Sequence, residues 1–208
     1  MFARNVAAVS AISLVVHLYD AFGVPAGDLA LARATARAIL SDAGIAVMWR
    51  DCPCDEGRDG QERDQRQARE AREQDGEPAP VEIVIRIVGA PAASQPDSLG
   101  FSYVDVARRA GTLATVFADR VQTMSALAGG DGAPSGPLLG RAMAHEMGHL
   151  LLGTTAHPGR GLMRGRWTAI ELVKNQPWDW TLSREDASEM RRALAIRQRQ
   201  PAAIVARQ

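Results

Sequence analysis

"HEMGHLLLGTTAH", residues 145–157, holds three of the four histidines in a chain of 208 residues. His145 and His149 are four apart, which on a helix puts both imidazoles on one face, one turn from each other. Two imidazole nitrogens placed so can hold a single zinc ion. Glu146, next to the first of them, is placed to take a proton from a water on such an ion. H-E-x-x-H on its own also arises by chance on ordinary helices. The surroundings are more specific. Gly153 stops the helix just past His149, His157 follows after a short loop and can fold back as a third ligand, and Met163 closes "GLM" six residues later.

Working outward, a helix is expected over 137–152, with Pro137 in its first turn and Gly153 as its stop. Upstream, "LGFSYVDV" (99–106) and "GTLATVFAD" (111–119) read as strands. The short turn "ARRA" between them makes the pair antiparallel. "VEIVIRIVG" (81–89) is a strong strand, and so are "SLVVHLYD" (13–20) and "IAVMWR" (45–50). Between the last two lies a helix opened by Pro25 and Asp28, with Leu29, Ala32, Ala36, Ile39, Leu40 and Ala43 on one face and Gly44 at its end. Strand, helix, strand favours a parallel pair with a crossover. "SALAGGDGAPSGP" (125–137) reads as a Gly-rich loop. Ser183 with Asp186 three residues on is a capping-box pattern for a last helix. There are no internal repeats.

The 24 basic and 24 acidic residues cancel, and no basic stripe points to nucleic acid. At 46% hydrophobic the chain can build a core, and its length suits one domain, 1–208. No apolar run is long enough to span a bilayer. Val6–Val16 has some of the look of a signal segment, but it runs directly into "HLYD" and is read as a flexible start followed by a strand. Residues 55–80 are nearly devoid of apolar residues and alternate in charge, so they read as a solvated insertion. Cys52 and Cys54 are too close in sequence to bridge easily and too few for a four-cysteine zinc site, so they read as free thiols at a strand end. A thiolate capping a metal in a latent form is the lesser alternative. His17, on the first strand, is given no role. Trp167, Trp178 and Trp180 either wall a pocket or pack the C-terminal segment on the core.

His145, Glu146, His149, Gly153, His157 and Met163 follow in order the elements of H-E-x-x-H-x-x-G-x-x-H and a later Met-turn. In this respect the chain resembles the metzincin metalloproteases. Both gaps flanking Gly153 hold three residues where the motif has two. The resemblance implies an α/β (α+β) fold of zincin type: a mixed twisted sheet of about five strands, a backing helix, an active-site helix and a C-terminal helix. It implies a zinc-dependent endopeptidase with one catalytic Zn2+, ligands His145, His149 and His157, Glu146 as general base, and Met163 beneath the metal. Peptide or protein substrates would pair with the antiparallel edge strand at Phe101, Ser102, Tyr103 and Val104. Metzincins are commonly exported, which favours a secreted or periplasmic location. Two alternatives stand beside this reading. One is a gluzincin-type peptidase with Glu171 as third ligand. The other is a zinc- or peptide-binding module that hydrolyses nothing.

Overall fold

The computed structural model describes residues 12–52, 80–95, 97–129 and 135–199. Nearly all of the charged segment 55–80, together with Cys54 and the first part of Val6–Val16, lies outside them.

Alternation of apolar residues makes the strands. In β1 (Ile12–Asp20), Leu14, Val16 and Leu18 are buried, and in β3 (Val81–Val88), Ile83, Ile85 and Ile87 are. A period of two turns each set onto one face, where it joins Ala32, Ala36 and Leu40 of α1 (Ala26–Asp42) in one core. Each leucine, valine or isoleucine so buried contributes about 1.5–3 kcal/mol relative to leaving it in water. α1 connects β1 to β2 (Ile45–Asp51), and the two strands pair in parallel, as the strand–helix–strand reading expects. The sheet order is β2-β1-β3-β5-β4. β4 (Gly100–Asp105) runs antiparallel to β5 (Ala110–Phe117) and forms the edge, with a register shift between Tyr103 and Val104. Arg109, at φ 49°, takes the left-handed turn between them.

The segment 125–137 departs from expectation. The chain passes straight from β5 into helix α2 (Ala118–Gly129), so the start of the expected Gly-rich loop is helical. Ala118, Val121 and Ser125 bury one face of it. That period shows only when counted from Ala118, which the sequence assigns to the preceding strand.

The helix carrying the histidines, α3 (Gly136–Leu152), is buried over almost its whole length. It crosses α1 closely. A Cβ at Gly140 would run into the backbone carbonyl of Ala32, and one at Gly136 would meet that of Asp28. The Asp28 carboxylate accepts from Ser135 Oγ at 2.9 Å and from the Gly136 N–H at 3.3 Å, so α1 supplies the N-terminal cap of α3. At the other end Gly153 adopts φ 65° and returns its N–H to the His149 carbonyl. A short helix α4 (Ala169–Lys174) and a 3-10 turn (Pro177–Trp180) follow, then α5 (Arg184–Arg199), capped by Ser183 Oγ accepting from the Asp186 N–H as expected. No described helix is long and apolar enough to cross a membrane.

Candidate metal centre

Helix α3 brings His145 and His149 to one face, as their spacing requires. The loop beyond Gly153 returns His157 to them. His149 Nε2 lies 3.0 Å from His145 Nε2 and 3.0 Å from His157 Nε2. These three form the one cluster of potential metal ligands among the described residues. α3 runs one residue past the shorter spacing of the motif, to Leu152, and the wider loop beyond Gly153 still delivers His157.

The second ring nitrogens decide what the cluster can hold. His145 Nδ1 faces the Leu162 carbonyl at 2.9 Å, and His149 Nδ1 faces the Thr154 carbonyl at 2.7 Å. A carbonyl only accepts, so both Nδ1 atoms carry the proton and both Nε2 atoms are bare. Burial pushes His145 down to about 4, against the opposing hydrogen bond to Leu162, and neighbouring His149, His157 and Arg164 push the same way. Burial also holds His149 and His157 below the usual histidine range. At neutral pH, two bare nitrogen lone pairs thus face each other across 3.0 Å. Without a cation between them they repel. Nitrogens on a tetrahedral zinc lie about 3.3 Å apart, close to the spacing seen here. The donor set therefore fits a zinc ion with three protein ligands, which leaves a fourth position for water or substrate.

Glu146, only 6% exposed, sits beside this cluster. Ser102 of β4 reaches it: Ser102 Oγ is 2.7 Å from Glu146 Oε2 and 2.9 Å from the Glu146 backbone carbonyl. One hydroxyl thus bridges the edge strand and the helix. Burial raises the Glu146 carboxyl to about 7, against the hydrogen bond from Ser102. Met163 packs under α3, with its sulfur where a Cβ at Gly148 would be. The turn carrying Met163 is held from both sides. The Leu162 N–H donates to the Thr181 carbonyl at 2.9 Å, and Arg164 Nη1 donates to the carbonyls of Gly161 at 2.8 Å and Asp179 at 2.5 Å.

Glu171 is not at the cluster. Its Oε2 accepts from the Thr168 N–H at 2.7 Å and the Thr168 hydroxyl at 2.9 Å, closing a capping box at the start of α4. Its Oε1 lies 3.2 Å from Arg164 Nε. Slight burial raises its pKa, but these hydrogen bonds and the Arg164 charge outweigh that and hold it below the usual carboxylate range. This corrects the Glu171 alternative: the residue fixes the turn behind the histidines. The tryptophans divide. Trp167 stands edge-on to the His145 ring, with centroids 5.6 Å apart, while Trp180 is buried and Trp178 is exposed. Cys52 contacts His17, outside the three-histidine cluster.

A cleft of about 440 Å³ opens over the site, between Gly100, Phe101 and Ser102 on one side and Arg166 and Trp167 on the other. Phe101 and Tyr103 are exposed along the edge strand. The anchoring carbonyls of Leu162 and Thr154 had no signal in the sequence, since every residue carries one. Arg164 was equally silent, and the bridge from Ser102 to Glu146 joins residues 44 apart.

No family model matches the chain, and no curated protein does. Among solved structures, the crystal structure of archaemetzincin from Methanopyrus kandleri is similar with a TM-score of 0.53 at 17% identity, over 91% of this chain and 99% of that one. That of a zinc-dependent peptidase from Methanocorpusculum labreanum is similar with a TM-score of 0.50 at 16% identity, over 84% and 99%. The chain shares the fold of these two proteins: a mixed five-stranded sheet with helices, the α/β architecture expected from its sequence.

Proposed function

We propose that the chain is a zinc-dependent peptidase of metzincin type that cleaves within peptides. One observation carries this: the buried pair of bare Nε2 atoms on His145 and His149, joined by His157, with the open cleft above them. When bound there, zinc polarises a carbonyl and makes a water a stronger acid. His145, His149 and His157 hold it, and Met163 supports the floor under α3. Glu146 takes a proton from the attacking water and delivers it to the leaving nitrogen. Its place beside the ligands, within reach of Ser102, suits both halves of that exchange. Ser102 keeps the Glu146 carboxylate turned toward the cleft. The free edge of β4 at Phe101, Ser102, Tyr103 and Val104 offers N–H and C=O groups to an extended peptide. The likeness to a zinc-dependent peptidase supports the same reading. Hydrolysis is favoured over mere binding because a buried carboxylate beside the ligands has no use in a purely structural site, which fills its positions with protein ligands.

The test is incubation of the zinc-loaded full chain with a peptide library, with cleavage sites read by mass spectrometry. Internal cleavages that vanish with chelator and return with zinc are expected. An intact library from a sample carrying one zinc per chain would leave only the binding module.

A further inference from the structure

A second constellation of reactive groups lies away from the cleft, on the sheet face opposite the core. In β1 the core-facing residues are Leu14, Val16 and Leu18, so His17 points the other way. It stands level with Arg50 of β2 and Val84 of β3. Cys52 lies two residues past Arg50, just beyond β2, and Glu82 two residues before Val84 in β3, both on the His17 side. The Cys52 N–H donates to the Leu18 carbonyl at 3.2 Å, which pins it beside β1 just after β2 ends. The side chains meet: Cys52 Sγ lies 3.5 Å from His17 Nδ1, and His17 Nε2 lies 3.0 Å from Glu82 Oε2.

We infer that Cys52 is a nucleophilic thiol with its own base, His17, oriented by Glu82, and that it is a covalent modification site for small soft electrophiles. The carboxylate only accepts, so Nε2 carries a proton, and in the neutral imidazole Nδ1 is then bare toward the sulfur. In that tautomer the thiol donates to Nδ1. When a carbon bearing a leaving group approaches, the sulfur pair forms the S–C bond and the leaving group departs with the electrons of its own bond. The thiol proton passes to His17 Nδ1, and Glu82 stabilises the imidazolium that results. This is the nucleophile–base–orienter order that activates weak nucleophiles generally. Cys52 and His17 are both partly exposed and Glu82 is largely in water, which leaves a small reagent a path to the thiol. Neither zinc nor peptide hydrolysis enters this inference.

The probe is iodoacetamide, applied to the full chain carrying C54S so that Cys52 is its only cysteine. Alkylation is followed by intact mass at pH 7, on folded protein and on the same protein in urea. An ordinary thiol is about 3% ionised at pH 7, so base assistance can gain at most ~30-fold. Folded C54S is expected to react about tenfold faster than its urea-unfolded form. H17N is expected to bring the folded rate to or below the unfolded one. E82Q, at an exposed position that leaves folding alone, is expected to lower the folded rate severalfold. A folded rate no higher than the unfolded rate, or one that E82Q leaves unchanged, would overturn the assignment.

Discussion

Chelation of the full chain is expected to lower its melting temperature, and H149A is expected to abolish that response. His149 is the perturbation of choice because its Nε2 is the atom within 3.0 Å of both other imidazole nitrogens of the cluster. Without it, His145 and His157 remain as a pair with no common neighbour. A ligand that binds only the folded chain stabilises it by RT ln(1 + [L]/Kd), about 2.7 kcal/mol when free zinc is a hundredfold above Kd. For a chain of this size, one kcal/mol corresponds to about 2–4 °C. Loading wild type to that degree should thus raise its melting temperature by about 5–11 °C over the chelated form. Two ligands hold zinc far more weakly than three, so the same free zinc should move H149A by no more than about 1–2 °C. Thermal unfolding followed by circular dichroism, with free zinc set by a metal buffer, gives both differences. Equal zinc-dependent shifts in the two proteins, or no shift in wild type, would show that the metal does not sit among these histidines.

Other consequences follow from the same geometry. E146Q is expected to keep one zinc by elemental analysis while losing ~10²–10⁴-fold in peptide cleavage, the usual worth of a general base; undiminished turnover would assign the proton transfer elsewhere. H157A should weaken zinc binding by orders of magnitude in a competition titration with a chromogenic chelator. E171Q should leave zinc affinity nearly unchanged, because Glu171 is held by Thr168 and Arg164. S102A removes a hydrogen bond to a charged group, worth about 1.5–3 kcal/mol, so kcat should fall ~10–100-fold with KM little changed. S102T should recover most of that loss, and a failure of the threonine to rescue would point to packing alone. G140A gains about 1 kcal/mol of helix propensity but drives a Cβ into the Ala32 carbonyl, so urea denaturation should show a net loss of stability.

How legible all this was depends on where each interaction's partner lies along the chain. Local signals carried far. The strand at 13–20, the turn around Arg109, the stop at Gly153 and the cap at Ser183 each act over a few residues, and the structure has each where the sequence put it. The convergence of His145 and His149 is likewise written in a spacing of four. Helix α2 was missed because its short buried face begins inside what reads as a strand. Asp28 read as part of the start of α1, yet its side chain caps α3 across 107 residues. Glu171 is a different case: its capping partner Thr168 is only three residues away, the spacing read at Ser183 and Asp186 but passed over here. Its attraction as a ligand came from its charge, whereas its position is set by a capping box and by Arg164, a buried cation that nothing nearby in sequence announces.

The carbonyls that orient His145 and His149 belong to the main chain of Leu162 and Thr154. Main-chain atoms are not subject to substitution. Mutation can replace the threonine hydroxyl, or exchange the leucine for another core side chain, and the imidazoles still meet an oxygen as long as the loop keeps its path. The inheritance of this centre is therefore lopsided. For the three imidazoles to keep meeting, a handful of letters in α3 and its following loop must stay fixed, while the supports that set their proton positions are free to drift in identity. A lineage can then rewrite most of the wall around such a centre and lose little of its orientation, leaving a trace that comparison of folds detects more readily than comparison of letters.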